Sequence, residues 1–299
     1  MDDRGLGEKL SGVFAPVVTP FADDETVDFS ALRFNMERYA RSELLGYLAL
    51  GSNGENRSLT EEEKHAVLDT IVTNKGQRQV VIAGAIYEAQ RDTERFLQQA
   101  GALGADFGLL LAPSYFKKLM TDDVLYRYFA TVADESPMPL LIYNAPGFCG
   151  INLSPDLIRR LSIHPNIVGM KDSAPSGIEA YLEYASDKFL VLAGSINFLF
   201  PAMMAGAVGG TVSLANILPR IAMDLFKYGA ARDTDSGEPA QAKARVINRA
   251  ISGTYGVPGV KAAMSLVGLK GGIPRRPLLP LDEAQKNELQ RLLIQEGVL

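Results

Sequence analysis

The sequence predicts an α/β fold, a (β/α)8 TIM barrel with a C-terminal helical extension. Three observations carry this. Short apolar runs of strand length recur along the chain, and amphipathic segments with helix-start signals lie between them. Eight such units fall within roughly 230 residues, as a closed barrel of parallel strands and helical crossovers requires. The runs are apolar throughout rather than alternating, which is how strands buried on both faces of a parallel sheet read. An open doubly wound sheet is the competing arrangement.

In order, the runs are GVFAPVV near Val13, GYLAL near Leu48, VVIAGA from Val80, FGLLLA from Phe107, PLLIY before Asn144, NIVGM before Lys171, FLVLAG from Phe189 and GGTVSL from Gly209. Thr60 followed by Glu61, Glu62 and Glu63 has capping-box spacing and predicts a helix start. Thr121 before Asp122 and Asp123 predicts another, as does Ser154 before Pro155, Asp156 and Leu157, with proline at the first helical position. After Tyr228 the strand rhythm stops. ARDTDSGEP reads as a polar connection, QAKARVINRAI as a helix, and the Leu and Ile spacing predicts a last helix from Leu281 or Asp282 towards Glu296. The expected division is a catalytic barrel over residues 1–230 and a helical region over 231–299. No sequence repeat stands out beyond the strand-helix rhythm itself.

The chain has 299 residues, 47% of them hydrophobic, enough for a large core in one barrel or two ordinary domains. A net charge of −5 and the absence of any Lys/Arg run argue against a nucleic-acid or anionic-membrane partner, so small molecules are expected instead. A single cysteine, Cys149, excludes an intramolecular disulfide framework and a thiolate metal cluster, and suits a reducing compartment. The opening MDDRGLGEKL resembles neither a signal nor a transit peptide, and Asp2 and Asp3 speak against the latter. Apolar stretches are broken by Gly or Pro before the roughly 20 residues needed to span a bilayer. A cytoplasmic protein is the expectation.

Chemistry in such a barrel sits at the carboxyl ends of the strands. These positions hold Gly51, Ser52, Asn53, Gly54 and Glu55 after strand two, and Pro113, Ser114 and Tyr115 after strand four. Strand five ends in Tyr143 and Asn144, strand six in Lys171, Asp172 and Ser173, and strand seven in Gly194 and Ser195. Lys171 closes the run Ile167 to Met170, which carries its amine into or beside the apolar interior. Burial disfavours an ammonium charge. A neutral amine can attack a ketone, and the protonated imine that results is an electron sink for carbon-carbon cleavage. The plain alternative is a lysine that snorkels at a strand end or pairs with Asp172. Tyr143 ends the adjacent strand, where a phenol can shuttle protons, although strand-end tyrosines are often core or rim residues. The loop Gly51-Ser52-Asn53-Gly54 offers hydroxyl, amide and backbone N–H donors to a carboxylate, or is simply a tight turn. Together these groups describe a site for a 2-oxo acid.

In order and spacing these residues resemble the dihydrodipicolinate synthase / N-acetylneuraminate lyase family of pyruvate-dependent class I aldolases. GVFAPVVTPF, GSNGE, YNAPG, MKDS and AGAVGGTVSLAN carry the resemblance, nearly end to end. It implies Lys171 as the imine lysine, Tyr143 as proton shuttle, and Ser52 and Asn53 as binders of the pyruvyl carboxylate. Gly51, Phe148, Ser173, Gly194 and Thr211 are the further substrate-binding candidates. Tyr115 matches a tyrosine that reaches a neighbouring subunit's site, and a homotetramer built as a dimer of dimers is implied. No cofactor beyond the covalent imine with pyruvate is implied. The synthases typically carry Gly-Thr-Thr-Gly-Glu in the anion loop and an arginine where Phe148 stands. Phe148 cannot pair with a carboxylate, so condensation with an acidic aldehyde is disfavoured. The GSNGE loop and HPNIVGMKDS look more like 4-hydroxy-2-oxoglutarate aldolase and the 2-keto-3-deoxy-sugar-acid aldolases. The expected activity is cleavage or formation of a 4-hydroxy-2-oxo acid or 2-keto-3-deoxy sugar acid, with pyruvate and an aldehyde as partners. Dihydrodipicolinate synthesis and 2-keto-3-deoxy acid dehydration are the alternatives within the family.

A metal-dependent aldolase would need clustered histidines, but the chain has only His65, in a helical pattern, and His164, before a strand. No metal site is expected. A phosphate-binding barrel would use Gly206, Gly209 and Gly210 as a late-barrel cradle. A barrel that merely binds 2-oxo acids or acts as an assembly scaffold is the non-enzymatic alternative, and Lys171 with Tyr143 argues against it.

Overall fold

A computed structural model describes residues 4–299, so Asp2 and Asp3 lie outside the described residues. Eight parallel strands close into a barrel in sequence order: β1 (Val13–Pro16), β2 (Gly46–Ala49), β3 (Val80–Ala85), β4 (Phe107–Leu111), β5 (Leu140–Asn144), β6 (Ile167–Asp172), β7 (Leu190–Ala193) and β8 (Gly210–Thr211). β8 pairs with β1 through Phe14 and Thr211, which closes the ring. Each apolar run of the sequence is therefore a strand, and the open sheet is excluded.

The continuous apolarity has its expected cause, because the two faces feed different cores. Phe14, Leu48, Ile82, Leu109, Leu111, Leu141, Tyr143, Leu190 and Leu192 pack together inside the barrel. Their sequence neighbours Ala15, Tyr47, Val81, Leu110, Ile142, Met170 and Val191 pack outward against the helices. Successive strand residues point to opposite faces, and here both faces are dry.

The helix starts follow the predicted caps. Thr60 and Glu63 form the capping box of Glu61–Asn74, and Thr121 caps Asp122–Glu135. Ser154 caps Pro155–Leu161 with proline in its first turn. The last helix, Glu283–Gln295, starts from Asp282 as its cap.

One reading is corrected. ARDTDSGEP is mostly helix, since Thr234–Asn248 begins within it. The Asp233 side chain accepts from the Ser236 amide and opens the helix there. Gly237 lies beneath the Phe200 ring, so close that an added Cβ would sit 2.1 Å from it. Its glycine is a packing choice, not a break. Pro239 costs the helix one internal hydrogen bond near its start. After a π-helical turn at Arg249–Gly253, the helix Thr254–Leu266 is kinked at Gly256 (φ 59°, ψ −141°), a conformation that favours glycine. No helix among the described residues is long and apolar enough to cross a membrane.

Candidate active site at the barrel mouth

Tyr143 and Lys171 are register partners on β5 and β6, and Lys171 is the partner of Leu192 on β7. Tyr143 and Leu192 belong to the interior layer, so Lys171 points inward with them. Both candidate side chains are buried, and the Lys171 amine sits 4.3 Å above the centre of the Tyr143 ring. Among the described residues no carboxylate pairs with that amine. A lysine spent on structure at this depth would normally be paired with an acid, and this one is not.

The pairing with Asp172 does not occur. Asp172 follows Lys171 on the strand and so points the other way, into the helical shell. Its Oδ1 accepts from Asn144 Nδ2 (2.8 Å) and from the Ala174 amide (3.1 Å), while the buried Oδ2 has no partner. Burial pushes its carboxyl up to about 6, and those two hydrogen bonds only partly oppose the shift. Asn144 also donates to Asn152 and to the Tyr181 hydroxyl, which itself donates to the Leu153 carbonyl. This buried network stands directly behind the lysine.

The loop after β2 is a 3-10 turn, Ser52–Gly54, held by bonds that leave its first amides facing outward. It is framed by two non-glycine residues in the left-handed region, Leu50 (φ 57°) and Glu55 (φ 51°). Such strain persists only where surroundings enforce it. Asn56 Nδ2 donates to the Leu50 and Gly84 carbonyls, and Thr19 Oγ1 donates to the Gly54 carbonyl. Asn53 Nδ2 donates to Ser213 Oγ (2.9 Å) beyond β8, which ties the loop past β1 to the end of β8.

Above the interior layer lies a cavity of about 430 Å³, lined by Ser52, Leu111 and Phe148 together with Arg57, Ile86, Tyr255–Pro258 and Leu278. Leu111 is the register partner of Tyr143, which brings one side of this cavity near the Tyr143-Lys171 pair, although neither of the two lines it. Phe148 is exposed and forms part of the wall. Ser173 donates from its amide to the Asn144 carbonyl, and Gly194 from its amide to the Asp172 carbonyl (2.6 Å), so both close the strand ends beside Lys171. Thr211 is buried opposite Phe14 and faces the interior. Tyr115 is 80% exposed, packed edge-on against Phe116, and stands away from the cavity of its own chain.

Sequence reasoning missed the C-terminal part of the wall. Tyr255–Pro258 and Leu278 come from about 200 residues after the anion loop, and only the Gly-Val-Pro punctuation hinted at irregular backbone there. It also missed Arg57 and the buried pair of Glu55 with Lys261, 2.5 Å apart. The phosphate-cradle reading of Gly206, Gly209 and Gly210 loses its basis. Gly209 and Gly210 precede or begin β8, at the opposite end from the mouth. Gly209 is there because an added Cβ would lie 2.0 Å from the Gly12 carbonyl oxygen. His65 packs edge-on against Phe96, and His164 faces Asp134 at 3.1 Å. Among the described residues no group of three or more His, Cys, Asp or Glu side chains could hold a metal ion.

The dihydrodipicolinate synthetase family matches residues 9–296. The chain belongs to that family. Among curated relatives, the probable mitochondrial 4-hydroxy-2-oxoglutarate aldolase of Emericella nidulans is 34% identical, over 90% of this chain and 89% of its own. The L-threo-3-deoxy-hexylosonate aldolase of Aspergillus niger is 32% identical over 92% and 91%. Among solved structures, a prophage protein of the dihydrodipicolinic acid synthase family from E. coli K12, in complex with pyruvate, superposes with a TM-score of 0.90 at 27% identity, over 97% of this chain and 99% of that one. Membership in the dihydrodipicolinate synthetase family makes the protein an enzyme of carbon-carbon bond chemistry, a lyase of the class I aldolase kind.

Proposed function

We propose that the protein cleaves or forms a 4-hydroxy-2-oxo acid or 2-keto-3-deoxy sugar acid through an imine between Lys171 and pyruvate. The observation that carries this reading is the buried Lys171 side chain, not paired with an acid, with its amine on the face of Tyr143 on the neighbouring strand. In the cleavage direction the amine attacks the C2 carbonyl and water leaves. The protonated imine then takes the electron pair of the C3–C4 bond as Tyr143 relays the proton from the C4 hydroxyl. The aldehyde departs, the enamine gains a proton at C3, and hydrolysis releases pyruvate and the free lysine. Ser52 and Asn53 hold the pyruvyl carboxylate, and no external cofactor is required. Dihydrodipicolinate synthesis fits less well, because Phe148 stands where the synthases typically carry the arginine that holds their second substrate.

The catalytic unit in this reading is residues 1–230, and residues 231–299 complete the mouth. In this reading the chain forms a homotetramer of paired dimers, with Tyr115 reaching a neighbouring subunit's site; the exposure of Tyr115, Phe116 and Leu119 is compatible with a contact to a second copy. A buried free Cys149 fits a reducing compartment, and the cytoplasm is our reading, although the Emericella relative is described as mitochondrial.

Borohydride reduction in the presence of pyruvate, followed by mass spectrometry, should leave a reduced pyruvyl adduct on the Lys171 peptide. An unmodified Lys171 would sink the imine chemistry. An adduct without release of pyruvate from any 4-hydroxy-2-oxo acid or 2-keto-3-deoxy acid would point to a dehydratase or a binding protein instead.

A further inference from the structure

The mouth cavity has one cation in its wall, and the reaction as derived gives it no task. Arg57 lies three residues beyond the Ser52–Gly54 turn, half exposed at the cavity rim. Glu55, the acidic residue of the same wall, is turned away and buried against Lys261 and the Arg275 amide. The remaining wall is largely apolar, with Ile86, Leu111, Phe148, Val257 and Leu278. A charge among such neighbours is screened less than in open water, so its choice of partner matters.

We infer that Arg57 determines specificity at the outer end of this cavity, by binding the distal carboxylate of a 4-hydroxy-2-oxo diacid whose pyruvyl end lies over Lys171. This rests on the aldolase reading and names its substrate class.

The guanidinium is held in advance. Its Nη2 donates to Glu88 Oε1 at 2.7 Å, and among the described residues the other donors of the fork have no protein partner. A planar fork with free donors matches a carboxylate, whereas a flexible ammonium does not. Glu88 offsets much of that charge but is engaged elsewhere as well. Its Oε2 accepts from the Ser114 and Tyr115 amides (2.8 and 2.9 Å), and its Oε1 from the Ser114 hydroxyl as well, so its negative charge is shared among several donors. Burial pushes the Glu88 carboxyl up, but the two amides and Arg57 hold it below its ordinary value, so it remains ionised and keeps Arg57 in place. Ser52 and Arg57 line the same cavity, one beside the floor and one at the rim. A short dicarboxylate has charges at both ends, and each end then meets donors. A sugar acid with a hydroxylated tail would leave the Arg57 fork empty.

The test compares retro-aldol kcat/KM for 4-hydroxy-2-oxoglutarate and for a 2-keto-3-deoxy sugar acid with an uncharged tail, read as pyruvate released. The native protein should prefer the diacid. Arg57→Ala should lower the ratio of diacid to neutral substrate by about 10- to 100-fold, as expected for loss of a charge-assisted pair. Arg57→Lys should recover part of that ratio, because it restores charge without the fork. Borohydride trapping of pyruvate on each variant reports whether the inner site has folded. A native preference for the neutral tail, or a ratio unmoved in Arg57→Ala, overturns the assignment while the aldolase reading stands. Failure of the native protein to trap pyruvate overturns the aldolase reading, and this inference with it.

Discussion

Tyr143 and Lys171 meet because a parallel register places residues of one row on one face, and that row runs Leu111, Tyr143, Lys171, Leu192 across four strands. Two members of the row are aliphatic and set the dry surroundings, and the other two are the proposed catalytic pair. The amine lies 4.3 Å over the Tyr143 ring, and among the described residues no carboxylate is paired with it. Removing only the phenol oxygen tests the division of labour. In Tyr143→Phe the ring that supports the lysine remains, so the imine should still form and be trapped by borohydride. The kcat for pyruvate release should fall by about 10²- to 10⁴-fold, the range for loss of a positioned acid-base group. A variant that lost trapping and kcat equally would instead make Tyr143 a packing residue.

At the scale of elements, the outward row next to this one stiffens the site. Asn144 on β5 donates to Asp172 on β6 and to the Tyr181 hydroxyl from the helix Ile178–Leu182, so hydrogen bonds link the strand ends to the shell. The carboxyl of Asp172 is protonated up to about pH 6 in the folded chain, against 3.8 for an ordinary aspartate, with burial as the first cause and the Glu179 charge as a lesser one. Between those values the folded chain holds a proton that the unfolded chain has released. The stability this gives is complete below about pH 4 and is lost as pH rises through about 6, by on the order of 3 kcal/mol. Asp172→Asn should remove that slope. Denaturant curves of the two proteins across pH 4 to 7 should therefore diverge, with the native protein losing ground to the variant as pH rises. Parallel curves would refute the buried acid.

Elements also show what the sequence could and could not reveal. Strands buried on both faces announce themselves as unbroken apolar runs, and Thr60, Thr121 and Ser154 announce their helices by caps, because both signals are local. Lys171, Tyr143, Ser52 and Asn53 were visible because each falls at a strand end. The helix start at Thr234 was hidden, since Gly237 and Pro239 look like breakers unless one knows that Phe200 lies on Gly237. Arg57 was hidden because nothing local distinguishes a rim arginine from a surface one. The wall at Tyr255–Pro258 was hidden because it depends on a fold-back across most of the chain.

That fold-back is the feature of the whole molecule on which the site depends. Lys261, fully buried, pairs with Glu55 at 2.5 Å and donates to the Ile273 carbonyl (2.7 Å), with the Phe21 ring beneath its amine. Arg275 continues the contact with a two-pronged grip on Glu63 (2.7 and 2.7 Å) and a bond from its amide to Glu55 Oε2. The C-terminal region is thus fastened to the residue that ends the anion loop. Burial lowers the Lys261 ammonium to about 8 against the pull of Glu55, so the pair is ionic at neutral pH and weakens above about pH 8. Deleting one partner leaves the other charge buried and alone, which typically costs about 3–5 kcal/mol. Lys261→Met should therefore destabilise the chain by about that much in chemical denaturation, and Glu55→Gln by a similar amount. The double variant should lose less than the sum, as coupled partners do. The same pair holds the Ser52–Gly54 turn, so KM for pyruvate, read from the concentration dependence of borohydride trapping, should rise in Lys261→Met and partly recover in the double variant. Strict additivity, with KM unchanged in every variant, would mean that the C-terminal region shapes the mouth without holding the loop.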